Sequence, residues 1–156
     1  MHKPALVSLL LLGMIGCSDT GTGASSGRGE LSAERAVSLF ETVCLDTFPS
    51  FTGALKKLNK LGAAPTRVKG KTLYTFASLP ASFSLDRSGA TSSCTLNYSG
   101  ADGGGIGAAL QRVGTPLTPG VFGFKGNANH QIKTLSSRGS NDPSRSQVTV
   151  TIGSPK

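Results

Sequence analysis

The chain of 156 residues contains no tryptophan, only seven phenylalanines and two tyrosines, and only two histidines. Acidic residues are also scarce: eight Asp and Glu stand against 16 Lys and Arg, which gives a formal net charge of +8. With so few aromatic rings, a hydrophobic core has to depend on Leu, Val, Phe and Ala. The length suits one domain and is too short for two of ordinary size.

The scarcity of histidine restricts the catalytic chemistry that the chain can perform. His130 is the one histidine after residue 16. Any Ser–His–Asp mechanism must use it, and two cysteines beside one histidine are too few for a zinc site. The sequence has no G-x-S-x-G turn, and the glycine-rich stretch 100–110 lacks the Gly-Lys-Ser/Thr of a Walker A loop. We therefore predict no catalytic residue, no metal site and no cofactor.

Long apolar runs are also missing, apart from one at the N-terminus. Residues 5–15 form an apolar run of 11 residues after Lys3. This is the length of a signal-peptide core and is too short to cross a bilayer. We predict that residues 1–16 are a signal peptide and that no transmembrane segment follows. Removing them takes away one charge, Lys3, and lowers the net charge from +8 to +7.

The apolar run ends in Met14-Ile15-Gly16-Cys17, which resembles the lipobox of bacterial lipoprotein precursors. In that family the cysteine thiol receives a diacylglycerol, the signal is cut just before it, and the new amino group is acylated, for example with palmitate. The resemblance implies that Cys17 is the lipid-attachment site. It also implies an exported, membrane-anchored protein that faces the periplasm or the cell surface. Ser18 at the second mature position favours the outer membrane if the cell is Gram-negative.

The rest of the chain divides into a tether and one domain. Residues 17–30 consist largely of Gly, Ser and Thr and bury too little apolar surface to offset the entropy of ordering, which predicts a flexible tether. Residues 31–156 then form a single domain. It begins with two amphipathic helical patterns joined at Pro49, with Ser32 as the first N-cap and Gly62 as the last C-cap.

From residue 72 onward, apolar residues alternate with polar ones, which is the period of β-strands. The alternation is seen in TLYTFAS, SFSLD, CTLNY, HQIKTLSS and SQVTVTIGS, and a short helical pattern lies between the third and the fourth. Strands that cluster and are linked by short turns favour an antiparallel sheet. The predicted fold class is α+β: two N-terminal amphipathic helices and a short third helix packed on a sheet of about five strands.

With Cys17 assigned to lipid, the domain has two cysteines, Cys44 and Cys94. Cys44 falls in the first helical pattern and Cys94 in a strand pattern. In an exported chain such a pair is most simply one disulfide, which joins helix to sheet. Two unpaired buried thiols are the alternative.

Basic residues are concentrated in the first half of the domain. No acidic residue lies between residues 47 and 85, where six cationic side chains are found: Lys56, Lys57, Lys60, Arg67, Lys69 and Lys71. This segregation favours contact with anionic lipid, polysaccharide or an acidic protein. A solvated face that aids solubility is the alternative. Nucleic acid is not an expected partner, because aromatic residues are few among the basic ones.

Together these features predict a small lipid-anchored cell-envelope protein that acts by non-catalytic binding or as a structural accessory. Two other functions stay open. One is a periplasmic hydrolase or transferase that uses His130, and the other is a secreted soluble inhibitor or effector in which Cys17 carries no lipid. The sequence indicates neither the ligand nor the oligomeric state.

Overall fold

The computed structural model describes residues 31–87, 91–100, 105–127, 129–138 and 146–155. The predicted signal peptide and the predicted tether lie outside these ranges.

The described ranges contain three short α-helices: α1 (Ala33–Val43), α2 (Ala54–Lys60) and α3 (Ile106–Leu110). At the start of α1 the Ser32 Oγ accepts a hydrogen bond from the backbone N–H of Arg35 at 3.3 Å, as an N-cap does. A 3₁₀ turn and a cis peptide bond between Phe48 and Pro49 lead from α1 towards α2. After α2, Gly62 adopts a φ of +80°, which turns the chain out of the helix and into the first strand.

The described residues also form eight β-strands: β1 (Ala63–Val68), β2 (Lys71–Phe76), β3 (Ala81–Asp86), β4 (Thr91–Gly100), β5 (Gly114–Thr118), β6 (Val121–Phe124), β7 (Gln131–Arg138) and β8 (Ser146–Pro155). They form one antiparallel sheet in the order β1-β2-β3-β4-β8-β7-β6-β5. The sheet therefore consists of two four-stranded meanders. The last strands of the two meanders, β4 and β8, pair with each other along their whole length at its centre.

The helices cover one face of this sheet. α1 packs against β4 and α3, and α2 packs against β1. The central strands contribute alternate apolar residues to that face, such as Leu96 opposite Val150. Phe40 of α1 and Phe83 of β3 are fully buried in the same core. The core thus lies in a single layer between the helices and the sheet.

The predicted fold class was wrong, because the domain is dominated by its sheet. The sheet has eight strands rather than about five, and the helices have only 11, 7 and 5 residues. The unrecognised strands are β1, β5 and β6. Pro65, Pro116 and Gly123 interrupt the alternation of apolar residues in these strands, and proline is tolerated there because β1 and β5 are the edges of the sheet.

Candidate functional site: the open face of the sheet

The described helices all lie on one face of the sheet, which leaves the opposite face, the open face, without a helix over it. Its side chains come from the alternate positions of the strands, because successive side chains in a strand point to opposite sides. Hydroxyl and amide groups fill the centre of the open face: Ser82, Ser84, Ser93, Thr95, Asn97, Ser99, Gln147, Thr149 and Thr151. β4 and β8 contain no charged residue. The middle of the open face is therefore polar and neutral.

Cross-strand hydrogen bonds join several of these side chains to one another. The hydroxyl groups of Thr95 and Thr151 lie 3.0 Å apart, and Thr149 Oγ1 donates to Asn97 Oδ1 at 2.8 Å. These pairs stand directly opposite one another in the β4–β8 ladder. These four side chains at the centre of the open face are therefore oriented by their cross-strand partners.

A neutral groove lies on the open face, between the turn that joins β2 to β3 and the adjoining ends of β4 and β8. Its volume is about 400 Å³. Its polar lining consists of Thr75, Ser82, Asn97, Ser99, Gln147 and Thr149. Leu79 and Pro80 of the turn add apolar surface, and none of the described residues that line the groove carries a charge. The neutral groove offers hydrogen-bonding groups of both kinds with apolar surface beside them.

A second groove, the histidine groove, lies at the other end of the β4–β8 pair. It also has a volume of about 400 Å³, and its lining includes Ser93, His130, Lys133 and Thr151. The His130 ring packs edge-on against Phe48 with the ring centroids 4.6 Å apart. The backbone of His130 is also bonded on both sides, because its N–H donates to the Asn127 carbonyl and its carbonyl accepts from the Phe124 N–H. No described carboxylate lines this groove, so a catalytic triad is not assembled by its described residues.

The structure brings Cys44 and Cys94 together in the core. Their Cα atoms are 5.6 Å apart, their sulfur atoms are at bonding distance, and both residues are fully buried. Cys44 follows the last residue of α1, and Cys94 lies in β4. The pair therefore links the first helix to the centre of the sheet.

Five of the six predicted cationic residues form a basic edge along α2 and the β1–β2 hairpin: Lys56, Lys60, Arg67, Lys69 and Lys71. All five are exposed, and none forms an ion pair with a described carboxylate. The sixth, Lys57, is engaged differently, because its Nζ lies 2.8 Å from Asp46 Oδ2. The basic edge is thus a cationic surface at one side of the sheet.

The predicted lipid site, Cys17, lies outside the described residues. Among the described residues, no helix is long and apolar enough to cross a bilayer. The sequence analysis did not predict the open face, because it considered only the apolar residues of each alternating stretch and not the polar residues between them. The polar half, Thr95 and Asn97 in CTLNY and Thr149 and Thr151 in SQVTVTIGS, was the signal that marks this face.

Comparisons of the chain with protein-family models, with curated proteins and with solved structures gave no match. A functional interpretation therefore depends on the residues of the open face, the two grooves and the basic edge.

Proposed function

We propose that this chain is a small lipid-anchored protein of the bacterial cell envelope that works by binding, without catalysis, through the open face of its sheet. One observation carries the proposal: an eight-stranded sheet has helices over one face, and the centre of its other face, along β4 and β8, presents neutral hydroxyl and amide groups between two grooves. Central strands whose outer side chains served only for solubility would carry charges of both signs. The two central strands carry none.

The lipid anchor is supported by the lipobox-like Met14-Ile15-Gly16-Cys17. Each buried CH₂ of an acyl chain contributes about 0.8 kcal/mol to membrane binding, so the two or three chains of a bacterial lipoprotein hold it durably. The juxtaposition of Cys44 and Cys94 agrees with export, because disulfides persist outside the reducing cytoplasm. In this proposal the tether of residues 17–30 connects the acylated cysteine to the domain.

The basic edge gives the anchored domain a preferred orientation in this proposal. Its five cations face the anionic lipid headgroups of the membrane that holds the anchor. An anionic polysaccharide or an acidic protein is the other kind of partner that this surface fits. With the basic edge towards the membrane, the open face stands at the side of the domain and is accessible to a ligand.

Intact mass spectrometry of the protein extracted from membranes tests the anchor. We expect a mature chain that begins at Cys17 and carries the additional mass of a diacylglycerol and an acyl group. A mature chain that begins at Ser18 or later, or a Cys17 without acyl mass, would contradict the anchor.

Photo-crosslinking in living cells of the source bacterium tests the role of the open face. A photoreactive amino acid replaces Leu135, which is 71% exposed on the open face, or Gln111, which is exposed at the end of α3 on the helix side. We expect discrete crosslinked products from position 135 and none from position 111. Products from position 111 alone would show that binding uses the helix side instead.

A further inference from the structure

The neutral groove exists because the sheet opens between β2 and β3. These two strands pair only at Tyr74–Phe83 and Thr75–Ser82, whereas β3 pairs with β4 along its whole length. The turn at residues 77–80 is therefore left beside the ends of β4 and β8, with a cavity of about 400 Å³ between them. A cavity of this size takes a small ligand or a short segment of a polymer.

Hydrogen bonds within the protein hold part of the groove in place. The Ser99 N–H donates to the Pro80 carbonyl at 2.9 Å, which fastens the turn to the end of β4. The hydrogen bond from Thr149 to Asn97 fixes two side chains of the lining. Asn97 and Thr149 are therefore in place before a ligand contacts them, which lowers the conformational entropy lost at these two side chains on binding.

The polar groups of the groove select a neutral ligand. Its six polar side chains are hydroxyls and carboxamides, which donate and accept hydrogen bonds without a charge. Among the described residues, no Lys, Arg, Asp or Glu lines the groove. A charged ligand would lose part of its hydration there without gaining a counter-charge.

The apolar part of the groove further restricts the class of ligand that can bind. Leu79 and Pro80 are half-buried, so part of each side chain is exposed. A sugar ring fits this combination, because it has hydroxyl groups at its rim and C–H groups on its faces. A lipid tail would leave the hydroxyls and amides without partners. A stable protein partner would bury about 800 Å² of this chain, an extended surface rather than a small concave one.

We infer that the neutral groove binds a short segment of uncharged glycan, with the sugar rings against Leu79 and Pro80 and the sugar hydroxyls bonded to Ser82, Asn97 and Gln147. The inference rests on the proposed function, because it gives the ligand class that the open face takes. It assigns the neutral groove to uncharged glycan and leaves anionic partners to the basic edge.

Titration of the mature protein, as purified from the envelope, tests the inference. The probes are a neutral N-acetylglucosamine tetrasaccharide and a heparin-derived tetrasaccharide of the same length, followed by calorimetry and by NMR chemical shifts. We expect saturable binding of the neutral probe, with shifts at the neutral groove that persist at high salt. The anionic probe should instead shift the basic edge and lose its binding as salt is raised.

Two matched pairs of variants locate the site. Ser82→Tyr fills the groove and should abolish binding of the neutral probe, whereas Ser84→Tyr makes the same change two residues along the same face of β3 and should leave binding intact. Gln147→Ala should weaken binding about 3- to 10-fold by removing one neutral hydrogen-bonding group. Gln111→Ala, which makes the same change at an exposed position on the helix side, should not. Gln147 is exposed, so Gln147→Ala should not disturb folding. This variant therefore tests the inference even if Ser82→Tyr does not fold.

Absence of saturable binding of the neutral probe, or an equal loss in both variants of a pair whose NMR spectra show that both are folded, would overturn the inference. If that happens while position 135 still yields crosslinked products, the glycan assignment fails and the proposed function stands. If the neutral probe binds in the groove but Cys17 carries no lipid, the anchor fails and the glycan assignment stands.

Discussion

Cys44 and Cys94 show how one pair of residues connects the separate parts of this domain. The two sulfur atoms lie at bonding distance in the core, where α1 packs on β4, and the residues are 50 positions apart in the chain. A bond that closes a loop of this length removes conformational freedom from the unfolded chain. The chain-entropy relation gives about 4 kcal/mol for its contribution to the free energy of unfolding.

Replacing both cysteines, Cys44→Ala with Cys94→Ala, should lower the free energy of unfolding by about 2 to 4 kcal/mol. Alanine keeps the sites apolar, so most of the loss reports the missing crosslink. The measurement is unfolding by urea, with and without a reducing agent. The reducing agent should destabilise the natural protein and leave the double variant unchanged. A natural protein that is insensitive to reduction and shows two reactive thiols would mean that the pair is not bonded.

Individual residues differ in how far the sequence predicted their surroundings. Counting was enough to choose Cys44 and Cys94 as partners, because only two cysteines remain after the predicted lipid site. The roles of Asn97 and Thr149 depend on a register between strands 52 residues apart in sequence. No local pattern encodes such a register, so the hydroxyl and amide groups that meet across β4 and β8 became visible only in the structure.

Among the secondary-structure elements, the central strands were recognisable and the edges were not. The five alternating stretches overlap β2, β3, β4, β7 and β8, and their buried apolar residues face the core, whereas Leu135 of β7 is exposed on the open face. The edge strands β1 and β5 each contain a proline and are exposed over most of their length. Because their residues contact few apolar residues, these strands do not need an alternating apolar pattern in the sequence. Proline at an edge also hinders pairing with another chain, because it lacks the N–H that pairing needs.

Two glycines that face the same phenylalanine should respond in opposite ways to alanine. A Cβ at Gly114 of β5 would lie 2.8 Å from Phe122 Cβ, whereas a Cβ at Gly107 of α3 would lie 3.8 Å from the tip of the Phe122 ring. Gly114→Ala should therefore reduce the free energy of unfolding by about 1 to 3 kcal/mol through overpacking. Gly107→Ala should raise it by up to about 1 kcal/mol, because alanine favours the helix.

Urea unfolding of both variants gives the comparison directly. Shifts of equal size and sign would show that the contact with Phe122 does not control packing between α3 and the β5–β6 edge. Opposite shifts would establish that the second meander is fitted to its short helix as closely as these distances indicate.

On the scale of the whole molecule, charge and hydrogen-bonding capacity are separated. The basic edge runs along α2 and the β1–β2 hairpin, and the centre of the open face carries neutral groups only. The sequence predicted the first of these surfaces, because its cations are close together along the chain. It could not predict the second, because the neutral side chains come from separate strands that only the sheet brings side by side. In the proposed function, the two surfaces serve two different kinds of partner.

The basic edge should make association with anionic membranes sensitive to salt and to charge reversal. The mature chain of residues 17–156, produced without its lipid, should sediment with vesicles that contain anionic phosphatidylglycerol and not with vesicles of neutral phosphatidylcholine. Lys56→Glu with Lys60→Glu should weaken this association at least about 30-fold, since each basic residue near an anionic surface contributes about 1 kcal/mol. Raising the salt concentration should weaken the association of the natural protein with anionic vesicles towards that of the double variant, because exposed charges are screened.

The matched control is Arg35→Glu with Lys133→Glu, which changes the net charge equally at exposed positions away from the basic edge. If the association reflects only the overall charge of the chain, the two double variants should lose it to the same extent. If the basic edge makes the contact, the control should keep most of its association because the five cations of that edge are intact. Equal losses would therefore contradict the proposed orientation, in which the basic edge faces the membrane. The role of the open face would then have to be argued without that orientation.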